Sequence, residues 1–118
     1  MAVTASRKTT IVYTGDVTGT EVIEAADSEA SPGAVTFQAL ASGFNSITVP
    51  SSTGVTVTSV TIKPPTGNTT TITLKGVTGD TGVALHPSDP TTIGIASTVT
   101  TIGLTAGAAI QGVRFFWA

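Results

Sequence analysis

From residue 34 onward the chain is a succession of short Val/Ile/Thr runs, each closed within a few residues by Gly, Pro or Asn. β-Branched residues are stiff at χ1 and favour the pleated, half-buried environment of a strand. Punctuation this frequent leaves no room for a helix of ordinary length. Seven stretches read as strands: 34–40, 46–49, 55–63, 69–75, 91–96, 99–104 and 113–117. Between them the turns have their own chemistry. Pro64-Pro65-Thr66-Gly67-Asn68 combines a rigid pair with residues tolerant of positive φ, and Gly76–Gly82 and His86–Pro90 are two further loops. The expectation is an all-β, single-domain β-sandwich or β-barrel of about seven to nine short strands.

Alternation along these runs adds detail. Ile72 and Leu74 share one face, as do Ile93 and Ile95, so both strands should be half-buried. In 55–62 the apolar parity switches, from Val55 and Val57 to Val60 and Ile62. A strand that changes face this way requires a bulge or a move between sheets. At the C-terminus Val113, Phe115 and Trp117 fall on one face, with Arg114 and Phe116 on the other. If the first set fills the core, Phe116 is left pointing outward, to anchor an interface or to be covered by the N-terminal segment.

The first 33 residues differ from the rest. Five of the seven acids (Asp16, Glu21, Glu24, Asp27 and Glu29) lie within 16–29, while 34–118 holds two acids and three bases. This divides the one domain into an N-terminal arm or strand with an acidic loop, 1–33, and a β-sandwich body, 34–118. Residues 9–14 read as a strand, and Gly15-Asp16 and Thr18-Gly19 as turns. Residues 21–30 form the one stretch with helix-compatible composition, an acidic loop or one or two helical turns stopped by Ser31-Pro32-Gly33.

Composition bears on function through what it excludes. Charged residues make up 10% of the 118 residues, against roughly 25% in an average soluble domain. Mean hydropathy is nevertheless positive, and 25 Thr and 10 Ser supply the polarity that charge does not. A small domain has much surface for its volume. A surface so poor in charge resists association weakly, which points to coverage by a partner in a lasting assembly. The basic residues Arg7, Lys8, Lys63, Lys75 and Arg114 are scattered, so no nucleic-acid partner is expected. No run approaches a membrane span, and no apolar core follows Arg7-Lys8 as a secretory signal would need. The expectations are therefore no membrane partner and synthesis in the cytoplasm.

A search for chemistry returns little. His86 is the single histidine. With Asp80, Asp89 and abundant serines nearby a Ser-His-Asp arrangement can be drawn, yet no strained Gly-x-Ser-x-Gly turn accompanies it, and the His86–Asp89 spacing reads better as turn structure. One histidine and no cysteine exclude the usual zinc sets. Gly79-Asp80-Thr81-Gly82 offers calcium one carboxylate outside any EF-hand pattern. The acids are not placed as a cleft pair for glycoside hydrolysis, and no phosphate-cradling loop is present. The chain is expected to be no enzyme and to carry no metal or cofactor.

From Ile62 to Trp117 the chain reads Lys-Pro-Pro-Thr-Gly-Asn, then Thr-Ile-Thr-Leu-Lys-Gly-Val-Thr-Gly-Asp-Thr-Gly-Val-Ala-Leu-His-Pro-Ser-Asp-Pro-Thr, and ends Gly-Val-Arg-Phe-Phe-Trp. This half resembles the small Thr/Val/Gly-rich virion proteins of tailed bacteriophages, among them capsid decoration (cement) proteins and small tail-associated β proteins. The resemblance implies a protein on the outside of the capsid, bound to the major capsid protein and self-associating, for instance as a trimer at a symmetry axis. It implies no particular contact residues. From placement and composition the candidate interface is Arg7, Lys8, Ile11 and Tyr13 of the arm with Arg114, Phe116 and Trp117 of the last strand. Two alternatives stand beside this one: a tail-associated or surface module that binds a glycan or receptor, and a tail-tube or baseplate component.

Overall fold

The computed structural model describes residues 3–5, 8–13, 19–24, 29–31, 35–50 and 56–118, the first four segments as backbone strands. Strands β1 (Val3–Ala5), β2 (Lys8–Tyr13), β3 (Gly19–Glu24) and β4 (Glu29–Ser31) precede the body. The body comprises β5 (Val35–Leu40), β6 (Gly43–Thr48), β7 (Ser59–Lys63), β8 (Ile72–Lys75), β9 (Val83–Ala84), β10 (Thr91–Gly94), β11 (Thr101–Ala106) and β12 (Ile110–Trp117). Its eight strands form two four-stranded antiparallel sheets, ordered β10-β7-β12-β5 and β6-β11-β8-β9. Of the two architectures compatible with the sequence, the protein takes the sandwich. Consecutive strands mostly change sheet, so the chain stitches the two layers together as it proceeds.

The core lies between the layers. Val60, Ile62, Val113, Phe115 and Trp117 of the first sheet meet Ile47, Ile72, Ile102 and Leu104 of the second, all nearly inaccessible. Phe115 and Trp117 stack with ring centroids 5.8 Å apart and planes 14° from parallel. The Trp117 indole Nε1 donates to Thr36 Oγ1 at 2.9 Å, so the polar end of the ring is satisfied inside the sheet. Ile72 is buried, while Leu74, Ile93 and Ile95 are partly buried against this core, in keeping with their alternation.

The parity switch before Ile62 has a backbone cause. The N–H groups of Thr58 and Ser59 both donate to the carbonyl of Ala118, at 2.8 and 3.0 Å. Two successive donors on one acceptor is the pattern of a bulge, and Val57, Ser59, Val60 and Ile62 are all buried across it. A second irregularity lies in β12. Ile110 opposes Leu40 and Val113 opposes Gln38, so one residue is extra, and Gly112 takes φ +75° there. Glycine is the residue for which this left-handed conformation carries no Cβ penalty.

Side chains tie the turns. Asn68 N–H donates to Pro65 O at 3.1 Å with Gly67 at φ +76°, and Asn68 Nδ2 reaches Pro87 O at 2.7 Å, binding one loop to the next. Asn45 does the same where the chain crosses from β5 to β6. Its Oδ1 accepts from Ala41 N, and its Nδ2 donates to the carbonyls of Ala41, Gly43 and Leu104.

One expectation is overturned. Residues 21–30 are neither helix nor loop throughout: Glu21–Glu24 belong to β3, paired with β2, and Glu29–Ser31 are β4, paired with β1. Thr20, Val22 and Ile23 favour extended backbone, and a ladder to Thr9, Thr10 and Val12 rewards it, whereas a helix this short has too few internal bonds to offset its nucleation. The expected turns at Gly15-Asp16 and the stop at Pro32-Gly33 lie outside the described residues.

Three substitutions test this packing by denaturant midpoint. Phe115→Ala should cost about 3–5 kcal/mol, the range for truncating a buried aromatic. Gly103→Ala should cost about 1–3 kcal/mol, because a Cβ there would sit 2.5 Å from Lys75 O and 2.7 Å from the Phe44 ring. Gly112→Ala meets no atom within 4 Å and should lose only about 1 kcal/mol, from positive φ alone.

Candidate functional site: the outer face of the first sheet

The sequence-derived candidates separate in three directions. Arg7 lies outside the described residues. Lys8, Ile11 and Tyr13 are on β2, opposite Glu24, Glu21 and Gly19, with Ile11 and Tyr13 at positions of one face and Lys8 at the other. Trp117 is 3% exposed and part of the sandwich core, so it is not available at the surface. Its expected place at an interface is corrected by the alternation itself, which sends Trp117 inward with Phe115. Arg114 and Phe116 do come together, on the outer face of the first sheet.

That face can be read off the register as two transverse rows. In one, Thr92 of β10, Thr61 of β7, Phe116 of β12 and Val35 of β5 lie side by side. In the other, Lys63, Arg114 and Phe37 are direct neighbours. The Thr61 and Thr92 hydroxyls share a hydrogen bond of 2.8 Å. The Arg114 guanidinium carbon stands 5.6 Å from the centroid of the Phe116 ring, a cation–π contact. Phe116 is half-buried, but Phe37 is 70% exposed and Val35 49%.

Phe37 and Val35 escaped the sequence reading for a definable reason. In β5 the apolar residues Val35 and Phe37 share one parity, and Leu40 has the other. Taken alone, the strand would bury Phe37 and expose Thr36. Register with β12 reverses this, because Phe115 is buried and directly opposes Thr36, so Thr36 follows it inward. Two large apolar side chains are thereby turned to solvent on a strand at the margin of its sheet. A conflict between local pattern and global fold of this kind concentrates at functional surfaces. The signal was present in the sequence as a clash of parity within 35–40, though nothing there says which side prevails.

The electrostatics are one-sided. Lys63 and Arg114 are neighbours across the ladder, an unfavourable juxtaposition of like charges. Neither has a carboxylate within salt-bridge distance among the described residues. The two acids of the body are occupied elsewhere. Asp80 Oδ2 accepts from Gly76 N at 3.1 Å and Val77 N at 3.0 Å, closing its own loop. Asp89 lies 3.7 Å from His86 Nε2. The other imidazole nitrogen, Nδ1, accepts from Ser88 N and Asp89 N, so His86 organises its turn.

A second feature is a cleft of about 750 Å³ between the layers, where β10 faces β8 and β9. Leu74, Ile93, Ile95, Val99 and Ile102 line it, with Lys75 and the Asp80 loop at its mouth. Its walls suit an apolar group. The Asp80 carboxylate there accepts from the backbone amides of Gly76 and Val77. Among the described residues no three His, Asp or Glu side chains gather as metal ligands do. The outer face offers apolar side chains beside two cations, and the cleft offers apolar walls. Comparison of the chain with protein-family models, curated proteins and solved structures finds no match.

Proposed function

We propose that this chain is a non-catalytic structural protein of a virus particle, a capsid decoration protein that binds the outside of the shell and bridges major capsid subunits. The observation that carries the reading is the outward pair Phe37 and Val35 beside Phe116, on a sheet margin with two cations and no facing carboxylate among the described residues. An apolar patch with charged neighbours is how a protein of low overall charge marks an interface. The resemblance of residues 62–117 to tailed-phage virion proteins supplies the kind of assembly.

The physical work would be simple. Each Å² of apolar surface buried at a seam contributes roughly 25 cal/mol, and a stable interface buries on the order of 1,600 Å² in total. A bound β-sandwich spanning two capsid subunits ties opening of the shell to loss of that area, which stabilises the closed state by mass action. A rigid sandwich suits such a clamp because its surface needs little ordering on binding.

The glycan- or receptor-binding alternative draws less from the fold. Sugar rings are bound by exposed aromatic faces, and Trp117 is spent on the core. Phe37 is the one large aromatic well exposed among the described residues.

The test is co-sedimentation with shells assembled from the major capsid protein of the same genome, together with the temperature at which those shells open. The wild-type protein should sediment with the shells and raise that temperature. Phe37→Ser should change folding stability by no more than about 0.5 kcal/mol, as an exposed substitution does, yet lose most of the bound fraction. Failure of the wild-type protein to bind any such shell would sink the decoration reading.

A further inference from the structure

The two sheets do not cover each other along their whole width. Inward-facing side chains can be followed across each sheet by register. In the first, Trp117, Val60 and Ile93 lie in one row, the first two buried and Ile93 only partly so. In the second, Leu104, Leu74 and Val83 lie in one row. Leu104 is buried and Leu74 half-buried, but Val83, on the same inward face, is 63% exposed. Both rows run out of cover on the same side of the sandwich, where β10 and β9 are the last strands of their sheets. The cleft of about 750 Å³ lies there. Packed interiors hold few spaces larger than a water molecule, so this cleft departs from ordinary core packing.

The backbone of β10 says what fits. The Ile95 N–H donates to Thr58 O at 2.8 Å. Amide directions alternate along an antiparallel strand, so Thr91 and Ile93 also turn their N–H and C=O groups to β7. Those of Thr92 and Gly94 turn to the free edge, and both residues are exposed. Among the described residues no strand pairs with that edge. Natural edges are commonly blunted by Lys, Pro or a bulge. Thr91–Gly94 contains neither residue, and its register with β7 is unbroken. On the opposite wall β9, two residues long, offers no comparable ladder.

A bare, regular edge and an apolar cleft beside it ask for one occupant. An apolar small molecule would fill the cleft and leave the edge unpaired. A strand does both. Paired with β10, it would point alternate side chains into the cleft, over Leu74, Val83 and Val99, and the others to the outer face.

We infer that the open side of the sandwich binds an extended segment of a partner protein, which adds to β10 as a fifth strand of the four-stranded first sheet and buries an apolar side chain at every second position. Main-chain bonds to Thr92 and Gly94 supply affinity that is blind to sequence, and the cleft supplies the preference for alternation. The site is separate from the outer face around Phe37 and does not depend on what that face binds.

The test uses the full chain and a short labelled peptide in which valine and threonine alternate between terminal lysines, followed by fluorescence anisotropy. This peptide should bind about tenfold more tightly than one of the same composition scrambled to break the alternation. N-methylation of every second peptide amide should weaken binding about tenfold or more in one phase and leave it unchanged in the other, because only alternate amides face β10. Thr92→Pro removes an outward amide without touching a bond to β7, a place where an edge strand tolerates proline. Its cost to the fold is the hydroxyl bond to Thr61. It should fold and bind the peptide about tenfold more weakly. Val83→Lys, an exposed change inside the cleft, should weaken binding too, while Phe37→Ser should leave it unchanged. Absence of peptide binding overturns the inference, as does equal binding of the alternating and scrambled peptides or equal loss from both phases of N-methylation. Full binding by Thr92→Pro also overturns it, and if that variant does not fold, the N-methyl comparison decides. Calorimetry that shows decanoate binding without peptide binding would make the cleft a small-molecule site instead.

Discussion

The inward set of Val113, Phe115 and Trp117 on β12 is the constraint from which the rest follows. This strand is paired on both sides, with β5 and with β7, so its choice of face is imposed on two neighbours at once. Side-chain alternation has a period of two, and a slip of one residue would exchange every inward group for an outward one. Stacking of Phe115 on Trp117 and the hydrogen bond from the indole to Thr36 hold the register from inside. An aromatic pair buried this fully outweighs any preference of a marginal strand for burying its own apolar residues.

The outer face of the first sheet is a by-product of that choice. Since Thr36 must accompany Phe115, Phe37 and Val35 face solvent; since Phe115 is inward, Arg114 and Phe116 are outward. Lys63 joins them because β7 pairs with the opposite side of the same strand. The two like charges of this face, Lys63 and Arg114, sit opposite one another at some cost to the fold.

Bulges let both requirements coexist. At Thr58-Ser59 two amides share the Ala118 carbonyl, and the strand turns its apolar parity so that Val57 and Val60 are both buried. At Gly112 the extra residue in β12 allows Ile110 and Val113 to fall on the same side despite their odd spacing. Without these two corrections, one apolar set or the other would be stranded in solvent.

The sequence by itself determined the class of fold, the position of nearly every body strand and the inward set of the last one. These are local matters, set by β-branched runs, by glycine and proline punctuation and by a period of two. It also announced a break before Ile62, a bulge or a move between sheets, because a regular strand cannot bury Val57 and Val60 together, and the structure takes the bulge. The reading of 21–30 as an acidic loop or a helical turn or two failed at 21–24 and 29–30, because composition in a short segment is weaker than a ladder of partners, and the partners belong to another part of the chain. The orientation of β5 was decided by tertiary structure alone. Phe37 and Thr36 compete for the same interior, and the winner is set by pairing with β12, at the far end of the chain. Cross-strand neighbours such as Lys63, Arg114 and Phe37 are likewise invisible until register exists, since nothing local records which residues will lie opposite one another.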